Sequence, residues 1–426
     1  MRSAAIVWTG VVALIVLQHV STFKLVCYFT DWSQYHDGPG RFTPDDIDPD
    51  LCTHIIYAFA NIRDNQIASK KNDMRTYVSN RRLKAKNPML KTLLSVGGYS
   101  TGSKLFRDVT RSPTTRSDFV LSVVQFLRNN GFDGLDLNWQ YPEKKDKKRF
   151  ANLIQEFFHA FMLDARDNKR KEKLILSVAV SAIRETIDEG YDIEKIKRFA
   201  DFINFMTYEF HGYWEDGSHN YTGHTSPLHK GRTDNQYELL HNVDSAVQYL
   251  KSLGVQDEKI IMGIPTEGQS FTLSSRNTMV GAGASGPGTP GAFTNISGTL
   301  AYYEICSFNQ DANIEWITEQ EVPYSYKGNQ WVGYEDMRSV KAKVQYMKNN
   351  TLGGIMIWAL DLDDFSGSFC NEGKYPLVGA VKKELNGGVD DIDTLLDTMY
   401  DESLEPRPPI PNYGDKFTKR KTGISG

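Results

Sequence analysis

The chain of 426 residues has little excess charge, few cysteines and few long apolar runs, and these shortages exclude several classes of protein. Its 49 basic and 53 acidic residues leave a formal net charge of −4, so the composition gives no reason to expect nucleic acid or an anionic membrane as a partner. After residue 22 no segment is long and apolar enough to span a bilayer. The sequence has no Cys-x-x-Cys motif and no paired histidines, and we expect neither a metal nor a cofactor.

Residues 1–22 have the pattern of a secretory signal peptide. Arg2 gives a short basic start, and an apolar run then extends to about Val20. The run is short and contains Gln18 and His19, which favours cleavage near Phe23 over an uncleaved membrane anchor. We therefore expect a secreted, extracellular protein.

Four cysteines in an oxidising compartment suggest two disulfide bonds. Three pairings are allowed, and the short separation of Cys27 and Cys52 makes 27–52 with Cys306–Cys370 the simplest one; metal binding is the weaker alternative. Three Asn-x-Ser/Thr sequons are also consistent with secretion and are candidate glycosylation sites. They begin at Asn220, Asn295 and Asn349.

Eight short runs of apolar, β-branched or aromatic residues have the composition of buried strands. They are Leu25–Phe29, Ile55–Phe59, Thr92–Val96, Gly134–Trp139, Leu174–Val180, Phe202–Tyr208, Lys259–Ile264 and Gly354–Ala359. Most of the intervals contain a helical pattern, which predicts parallel strands covered by helices. Eight such units predict an α/β fold, a (β/α)8 TIM barrel, with its functional site at the C-terminal ends of the strands.

The interval before the last run is too long for one crossover and predicts an inserted lobe. It contains a Gly/Pro-rich stretch at 281–291 and short β-like pieces at 320–326 and 329–334. We therefore assign 23–265 and 337–385 to the barrel and 266–336 to a small α+β insertion domain between strands 7 and 8. Residues 386–426 are acidic, then proline-rich, then basic, and we predict a disordered tail.

The fourth run carries the motif that bears most on function, Phe132-Asp-Gly-Leu-Asp-Leu-Asn-Trp-Gln-Tyr-Pro142. Alternate residues of a strand share a face, so Asp136, Asn138 and Gln140 point the same way. An acid–base enzyme would need carboxylates at the tip of this strand, and an amide cannot deliver a proton as a general acid. The motif therefore favours holding a ligand over cleaving it.

The chain resembles glycoside hydrolase family 18, which comprises chitinases and chitinase-like lectins, from about Lys24 to Leu385. The family signature Asp-Gly-x-Asp-x-Asp-x-Glu matches at Asp133, Gly134 and Asp136 and departs at Asn138 and Gln140. Other matching segments are Cys27-Tyr-Phe-Thr-Asp-Trp32, Tyr57-Ala-Phe59, Ser95-Val-Gly-Gly98, Met206-Thr-Tyr208, Gly328-Asn-Gln-Trp-Val-Gly-Tyr334 and Trp358-Ala-Leu-Asp-Leu-Asp-Asp364.

The resemblance implies a substrate-assisted mechanism, in which the N-acetyl carbonyl of the sugar attacks the anomeric carbon. In the family a Glu protonates the leaving oxygen and an Asp positions the acetamido group, and Gln140 and Asn138 stand at those places here. General acid catalysis alone contributes roughly 10²–10⁴-fold, so we predict no measurable chitin hydrolysis. The amides can also have a purely structural role, because they avoid the desolvation and mutual repulsion of two buried carboxylates. Both interpretations predict a non-enzyme and differ on whether sugar binds.

The resemblance also implies a set of carbohydrate-binding residues around the barrel mouth. Trp358 would form the floor of the central subsite, Tyr208 would contact the acetamido carbonyl, and Trp214 would close one end. The full set is Tyr28, Trp32, Phe59, Tyr99, Asp136, Gln140, Tyr141, Met206, Tyr208, Glu209, Trp214, Met356 and Trp358. Trp139 also stands at a strand end, where either sugar stacking or core packing would suit it.

Several positions depart from the family pattern in ways that alter the cleft. Glu209 replaces a usual Asp, Glu267 an aromatic residue, Gln269 an Arg, and Tyr99 a frequent Trp. Ligand length and charge can therefore both differ from those of chitin. His219, His224 and His229 are spaced by five, which matches no standard metal site.

The sequence as a whole predicts a monomeric, secreted chitinase-like lectin that binds chitooligosaccharides or related N-acetylglucosamine glycans. The rivals are a weakly active hydrolase that recruits another carboxylate, such as Glu209, and a signalling or protein-interaction module with a vestigial cleft.

Overall fold

The computed structural model describes residues 23–68, 73–213, 220–232, 234 and 238–387, without the side chains of 73–76. The predicted signal peptide, most of the predicted tail, Trp214 and His219 lie outside the described residues. Within them, no helix is both long enough and apolar enough to cross a membrane.

Fifteen strands form in the described part of the chain. They are β1 (Lys24–Thr30), β2 (His54–Arg63), β3 (Gln66–Ala68), β4 (Lys91–Gly97), β5 (Gly134–Asn138), β6 (Ile175–Ser181), β7 (Phe202–Met206), β8 (Ile260–Pro265), β9 (Glu267–Leu273), β10 (Ala284–Pro287), β11 (Thr299–Ala301), β12 (Asn313–Ile317), β13 (Val322–Lys327), β14 (Gln330–Gly333) and β15 (Gly354–Trp358).

Eight of these strands close into a parallel barrel in the order β1-β2-β4-β5-β6-β7-β8-β15, because β15 pairs with β1 in parallel. These strands coincide with the eight predicted runs, and the predicted (β/α)8 barrel is confirmed. Strand β2 is longer than predicted because its end leaves the ring and pairs antiparallel with β3. The barrel strands are buried almost throughout, as expected for strands covered on both faces.

Helices cover the outside of the barrel and bury one face each. They span Asp73–Lys86, Gly102–Val109, Pro113–Asn130, Lys147–Asp167, Arg184–Gly190, Ile193–Phe199, Val243–Ser252, Tyr302–Asn309, Met337–Asn349 and Pro376–Leu385. The helix Lys147–Asp167 buries Phe150, Ile154, Phe157 and Phe161, which recur at helical spacing. Each such stripe packs against the strands, so the core lies between the barrel wall and the helices.

A second, antiparallel sheet lies between β8 and β15 in the chain. Its order is β10-β9-β14-β13-β12, and β11 also pairs with β9. On one face Trp331 stacks on Tyr324 at 5.1 Å and meets the edge of Phe271 at 5.6 Å. Together with the helix Tyr302–Asn309, this sheet forms the predicted α+β insertion; its limits at 266 and 336 stay a prediction.

Two disulfide bonds have the predicted pairing, Cys27–Cys52 and Cys306–Cys370. The second joins the helix of the insertion to the segment that follows β15. The sulfur atoms of Cys306 and Cys370 lie near the carboxylate of Glu372, but they are bonded to each other and are not free to bind a metal. The asparagines of all three sequons, Asn220, Asn295 and Asn349, are exposed.

Candidate functional site: an aromatic cleft at the barrel mouth

A cleft of about 390 Å³ opens at the C-terminal ends of the barrel strands. This is the end at which TIM-barrel enzymes carry their sites. The side chains that line it come from six barrel strands and the segments that follow them. They are Trp32, Phe59, Tyr99, Ser100, Gln140, Tyr208, Glu209 and Trp358.

One wall of the cleft is aromatic. Trp358 ends β15, and its ring lies 6.1 Å from Phe59 and 5.2 Å from Tyr28, measured between centroids. Phe59 in turn stacks on Trp32 at 6.0 Å with an interplanar angle of 25°. Trp32 is 37% exposed and Tyr99 is 84% exposed, so parts of their faces are open to a ligand.

Two glycines make room for these rings. A Cβ on Gly98, whose φ is 79°, would lie 2.4 Å from the ring of Phe59. A Cβ on Gly263 would lie 2.7 Å from the ring of Tyr208. Both distances are shorter than side-chain atoms tolerate, so the bare backbone at these points lets the rings reach the barrel mouth.

Beneath the cleft, the carboxylate of Asp136 is the centre of a buried hydrogen-bond network. It accepts hydrogen bonds from Tyr28 (2.8 Å), Ser95 (2.7 Å), Ser177 (2.7 Å) and Asn204 (3.0 Å). Burial raises the pKa of Asp136, and these four hydrogen bonds oppose that shift. The network joins five barrel strands, β1, β4, β5, β6 and β7, and holds this carboxylate fully buried below the cleft.

The two amides, Asn138 and Gln140, follow Asp136 on the same face of the strand, two and four residues farther along the chain. Asn138 is 2% exposed, and its Oδ1 atom has no hydrogen-bond partner among the described residues. Gln140 is half-buried, and its Nε2 atom donates to the sulfur of Met206 at 3.3 Å. A buried polar atom without a partner is rare in proteins, so Asn138 has hydrogen-bonding capacity left for a ligand.

Two carboxyl groups lie near this tip on neighbouring strands. Glu209 follows β7, is exposed within the cleft, and its surroundings raise its pKa by desolvation. Glu267 begins β9 directly after β8 and is half-buried. Burial first, and then the charges of Glu209 and Asp361, raise the pKa of Glu267 to about 8.

The predicted binding residues do not all reach the cleft surface. Tyr28, Asp136 and Met356 are buried below it, and Met206 and Tyr208 are almost fully buried in its floor. Tyr141 is half-buried, and its phenol interacts with the charge of Glu209. Gln269 is 7% exposed, and its Nε2 atom lies 3.5 Å from the hydroxyl of Thr299 in the insertion.

Trp139 belongs to the core and not to the cleft. It is fully buried, stacks on Phe106 at 4.7 Å, and donates its indole N–H to Ser103. It lies between Asn138 and Gln140 in the sequence, so strand alternation turns it toward the helices. Of the two roles considered for this residue, core packing is the one observed.

Sequence reasoning missed Ser177 and Asn204, which hold Asp136. Each is a polar residue inside a largely apolar strand, and this feature of the sequence could have indicated a buried polar contact. Ser100, which lines the cleft, carried no such signal. Three cis peptide bonds also went unforeseen; they precede Phe59, Tyr141 and Ala359.

Comparison with known proteins connects this geometry to a family. The model of glycosyl hydrolases family 18 matches residues 24–363. Human chitinase-3-like protein 2 is 51% identical over 379 residues, which cover 89% of this chain and 96% of that protein. Mouse chitotriosidase-1 is 46% identical over 389 residues, which cover 90% of this chain and 82% of that protein.

A solved structure of human YKL-39 superposes with a TM-score of 0.83 at 50% identity and covers 85% of this chain and 100% of that one. That protein is described as a pseudo-chitinase with retained chitooligosaccharide binding properties. The matched family model, the relatives and the barrel together show that this chain belongs to glycosyl hydrolases family 18.

Proposed function

We propose that this protein is a secreted chitinase-like lectin that binds chitooligosaccharides, or related N-acetylglucosamine glycans, without hydrolysing them. The observation that carries the proposal is the pair of amides, Asn138 and Gln140, at the tip of a strand inside an otherwise open, aromatic cleft. The retained chitooligosaccharide binding described for human YKL-39 supports it.

Binding rests first on the aromatic wall. Sugar rings present flat C–H faces, and Trp358, Phe59 and Trp32 present partly exposed ring surfaces of matching kind. Such contacts exclude water and orient the chain of sugars along the cleft. The unpartnered Oδ1 of Asn138 can accept a hydrogen bond from an acetamide N–H, and Gln140 can donate one to a glycosidic oxygen.

The absence of hydrolysis rests on the same two residues. An amide has no proton to give as a general acid, and without a carboxylate at 138 the developing positive charge on the substrate lacks a close anion. Asp136 is held by four hydrogen bonds below the cleft and is not placed to act instead.

Glu209 supports a second candidate, a weak hydrolase with an altered acid. It lines the cleft, and desolvation raises its pKa, as is typical of general acids in glycosidases. A fluorogenic chitobioside assay on the purified protein separates the two functions. Turnover that disappears in Glu209→Gln would favour the hydrolase, whereas we expect no turnover at all.

Binding is tested by calorimetric titration with the tetramer of N-acetylglucosamine, followed in parallel by tryptophan fluorescence. We expect heat and a fluorescence change, because Trp32 and Trp358 lie in the cleft. Neither response would appear if the cleft were vestigial and the protein were a signalling module. Two disulfide bonds fit a secreted protein, and we expect a monomer by size-exclusion chromatography with light scattering.

A further inference from the structure

The cleft contains acidic groups that the binding of a neutral sugar does not use. Glu209 lines the cleft. Glu267 adjoins it, since the backbone N–H of the preceding Thr266 donates to the carbonyl of Trp358 at 2.8 Å, and its charge interacts with Glu209 and with the phenol of Tyr208. No described residue donates a hydrogen bond to either carboxylate: the backbone of Glu209 bonds Thr225, and that of Glu267 pairs with Ala301. Both carboxylates therefore keep their acceptor capacity.

The charged neighbours of these two groups share their sign. Among the described residues, the charges that act on Glu267 are those of Glu209 and Asp361. The groups that act on the phenol of Tyr208 are Glu209, Tyr141, Glu267 and Asp136. The barrel mouth therefore collects carboxyl groups without a compensating basic side chain from the described residues.

A third acceptor is independent of these charges. Asn138 is 2% exposed, and its Oδ1 atom has no partner. It shares the strand face of Gln140, which lines the cleft, so it is directed toward the barrel mouth. The acceptors without a donor among the described residues are thus two carboxylates and one amide oxygen, and a ligand rich in N–H donors and positive charge complements them.

We propose that the cleft prefers chitooligosaccharides that are partly deacetylated, with the ammonium group of a glucosamine unit held by Glu209 and Glu267. The inference rests on the proposed lectin function and specifies its ligand class.

Deacetylation changes a sugar in the way that this cleft requires. It replaces a neutral acetamide, which has one N–H donor, by an ammonium with three donors and a positive charge. Hydrogen bonds between an ammonium and a carboxylate are roughly twice as strong as neutral ones. The partly exposed face of Trp358 adds a favourable surface for a cation, and the rest of the sugar ring still stacks on the aromatic wall.

Proton release distinguishes this mode of binding from the binding of a neutral oligosaccharide. The pKa of Glu267 is raised to about 8, so much of this carboxyl is protonated near neutral pH. A cation beside it favours the ionised form and expels the proton. A neutral sugar that covers the same carboxyl favours the protonated form. The other titratable groups that face it are Glu209, Asp361 and the phenol of Tyr208.

The test is a calorimetric titration with two tetramers, one fully acetylated and one with a single free amine, in two buffers of different ionisation enthalpy near neutral pH. We expect the amine-bearing tetramer to bind about tenfold tighter and to release protons. In Glu267→Gln and in Glu209→Gln this preference should fall to about twofold or less, with a native circular dichroism spectrum and a cooperative thermal transition as evidence of folding. Glu258→Gln, an exposed change at the opposite end of the barrel, should keep the full preference.

Each other outcome has a definite meaning. Equal binding of the two tetramers by the unmodified protein overturns the inference and leaves the lectin function standing. A preference that survives in both cleft variants, or that is also lost in Glu258→Gln, overturns the assignment to these carboxylates. Binding of neither tetramer overturns both the inference and the proposed function.

Discussion

Two layers of polar side chains lie one above the other at the C-terminal end of the barrel, and they differ in how well the protein itself satisfies them. The lower layer is Asp136 with Tyr28, Ser95, Ser177 and Asn204, and its carboxylate accepts four hydrogen bonds. The upper layer is Asn138, Gln140, Glu209 and Glu267. Among the described residues, the side-chain hydrogen bond that this layer makes is the one from Gln140 to the sulfur of Met206.

The difference separates a part of the motif that serves the fold from a part that, under the proposed function, serves a ligand. Buried polar groups that protein atoms satisfy stabilise a unique packing of the strands. Polar groups at a cleft that have no protein partner keep their hydrogen-bonding capacity for a ligand. In the lower layer, the match of Asp136 to the family motif therefore informs about the packing of the strands. In the upper layer, the departures at Asn138 and Gln140 inform about the chemistry of the cleft.

Restoring carboxylates to the upper layer is the strongest test of this division. We expect Asn138→Asp with Gln140→Glu to give measurable hydrolysis of a fluorogenic chitobioside where the unmodified protein gives none, because the pair supplies a neighbouring anion and a general acid, which alone contributes roughly 10²–10⁴-fold. Gln256→Glu, an exposed change at the far end of the barrel, should give no gain. If the double variant remains inactive, the upper layer lacks more than its carboxylates.

Removing the centre of the lower layer should cost stability. Asp136→Ala leaves several buried donors without an acceptor at once, and we expect a loss of about 3–5 kcal/mol in the free energy of unfolding. The matched change in the upper layer, Asn138→Ala, removes an oxygen that has no partner and should cost about 1 kcal/mol or less. Urea denaturation measures both. Equal losses would contradict the distinction between the layers.

Removing the central ring should weaken binding without affecting the lower layer. Trp358→Ala deletes the side chain that connects Phe59 and Tyr28 at the cleft floor, and we expect a loss of affinity for the acetylated tetramer of about 10–100-fold. Trp316→Ala, a half-buried ring in the insertion that contacts Arg338, is the control and should leave affinity unchanged. Calorimetry measures both, and an equal loss in the control would indicate a general effect on folding.

Neutralising one carboxyl of the upper layer should have the smallest effect, and one that depends on pH. The pKa of Glu267 is raised, so the folded state binds more protons than the unfolded state between the ordinary value and about 8. Stability is therefore lost as the pH rises through that window. Glu267→Gln should raise the melting temperature by about 2 °C near pH 9 and leave it nearly unchanged near pH 4. Glu258→Gln should show no such difference, and a destabilised Glu267→Gln at high pH would contradict the expected sign.

The barrel was predictable because each strand is a continuous apolar run and each crossover contains a helical pattern. The exception is instructive: β2 extends past the predicted Phe59 because its last residues pair with β3, and that pairing has no trace in a local pattern. In the site, Trp358 and Gln140 stand at strand ends and line the cleft, and their role in binding stays a prediction. Trp139 stands at a similar position, but alternation along its strand turns it into the core.

The sequence by itself determined the class of the protein and the order of its barrel strands and helices. It favoured one of three allowed disulfide pairings, and it put an amide at position 140, which is a matter of chemical identity. Only the tertiary structure decided which groups share an environment. Glu209 and Glu267 are far apart in the chain, and they interact because β7 and β8 are neighbours in the barrel. Whether a carboxylate accepts hydrogen bonds from the protein, as Asp136 does, depends on partners from strands that are distant in the sequence. Only closure of the barrel brings those partners within hydrogen-bonding distance.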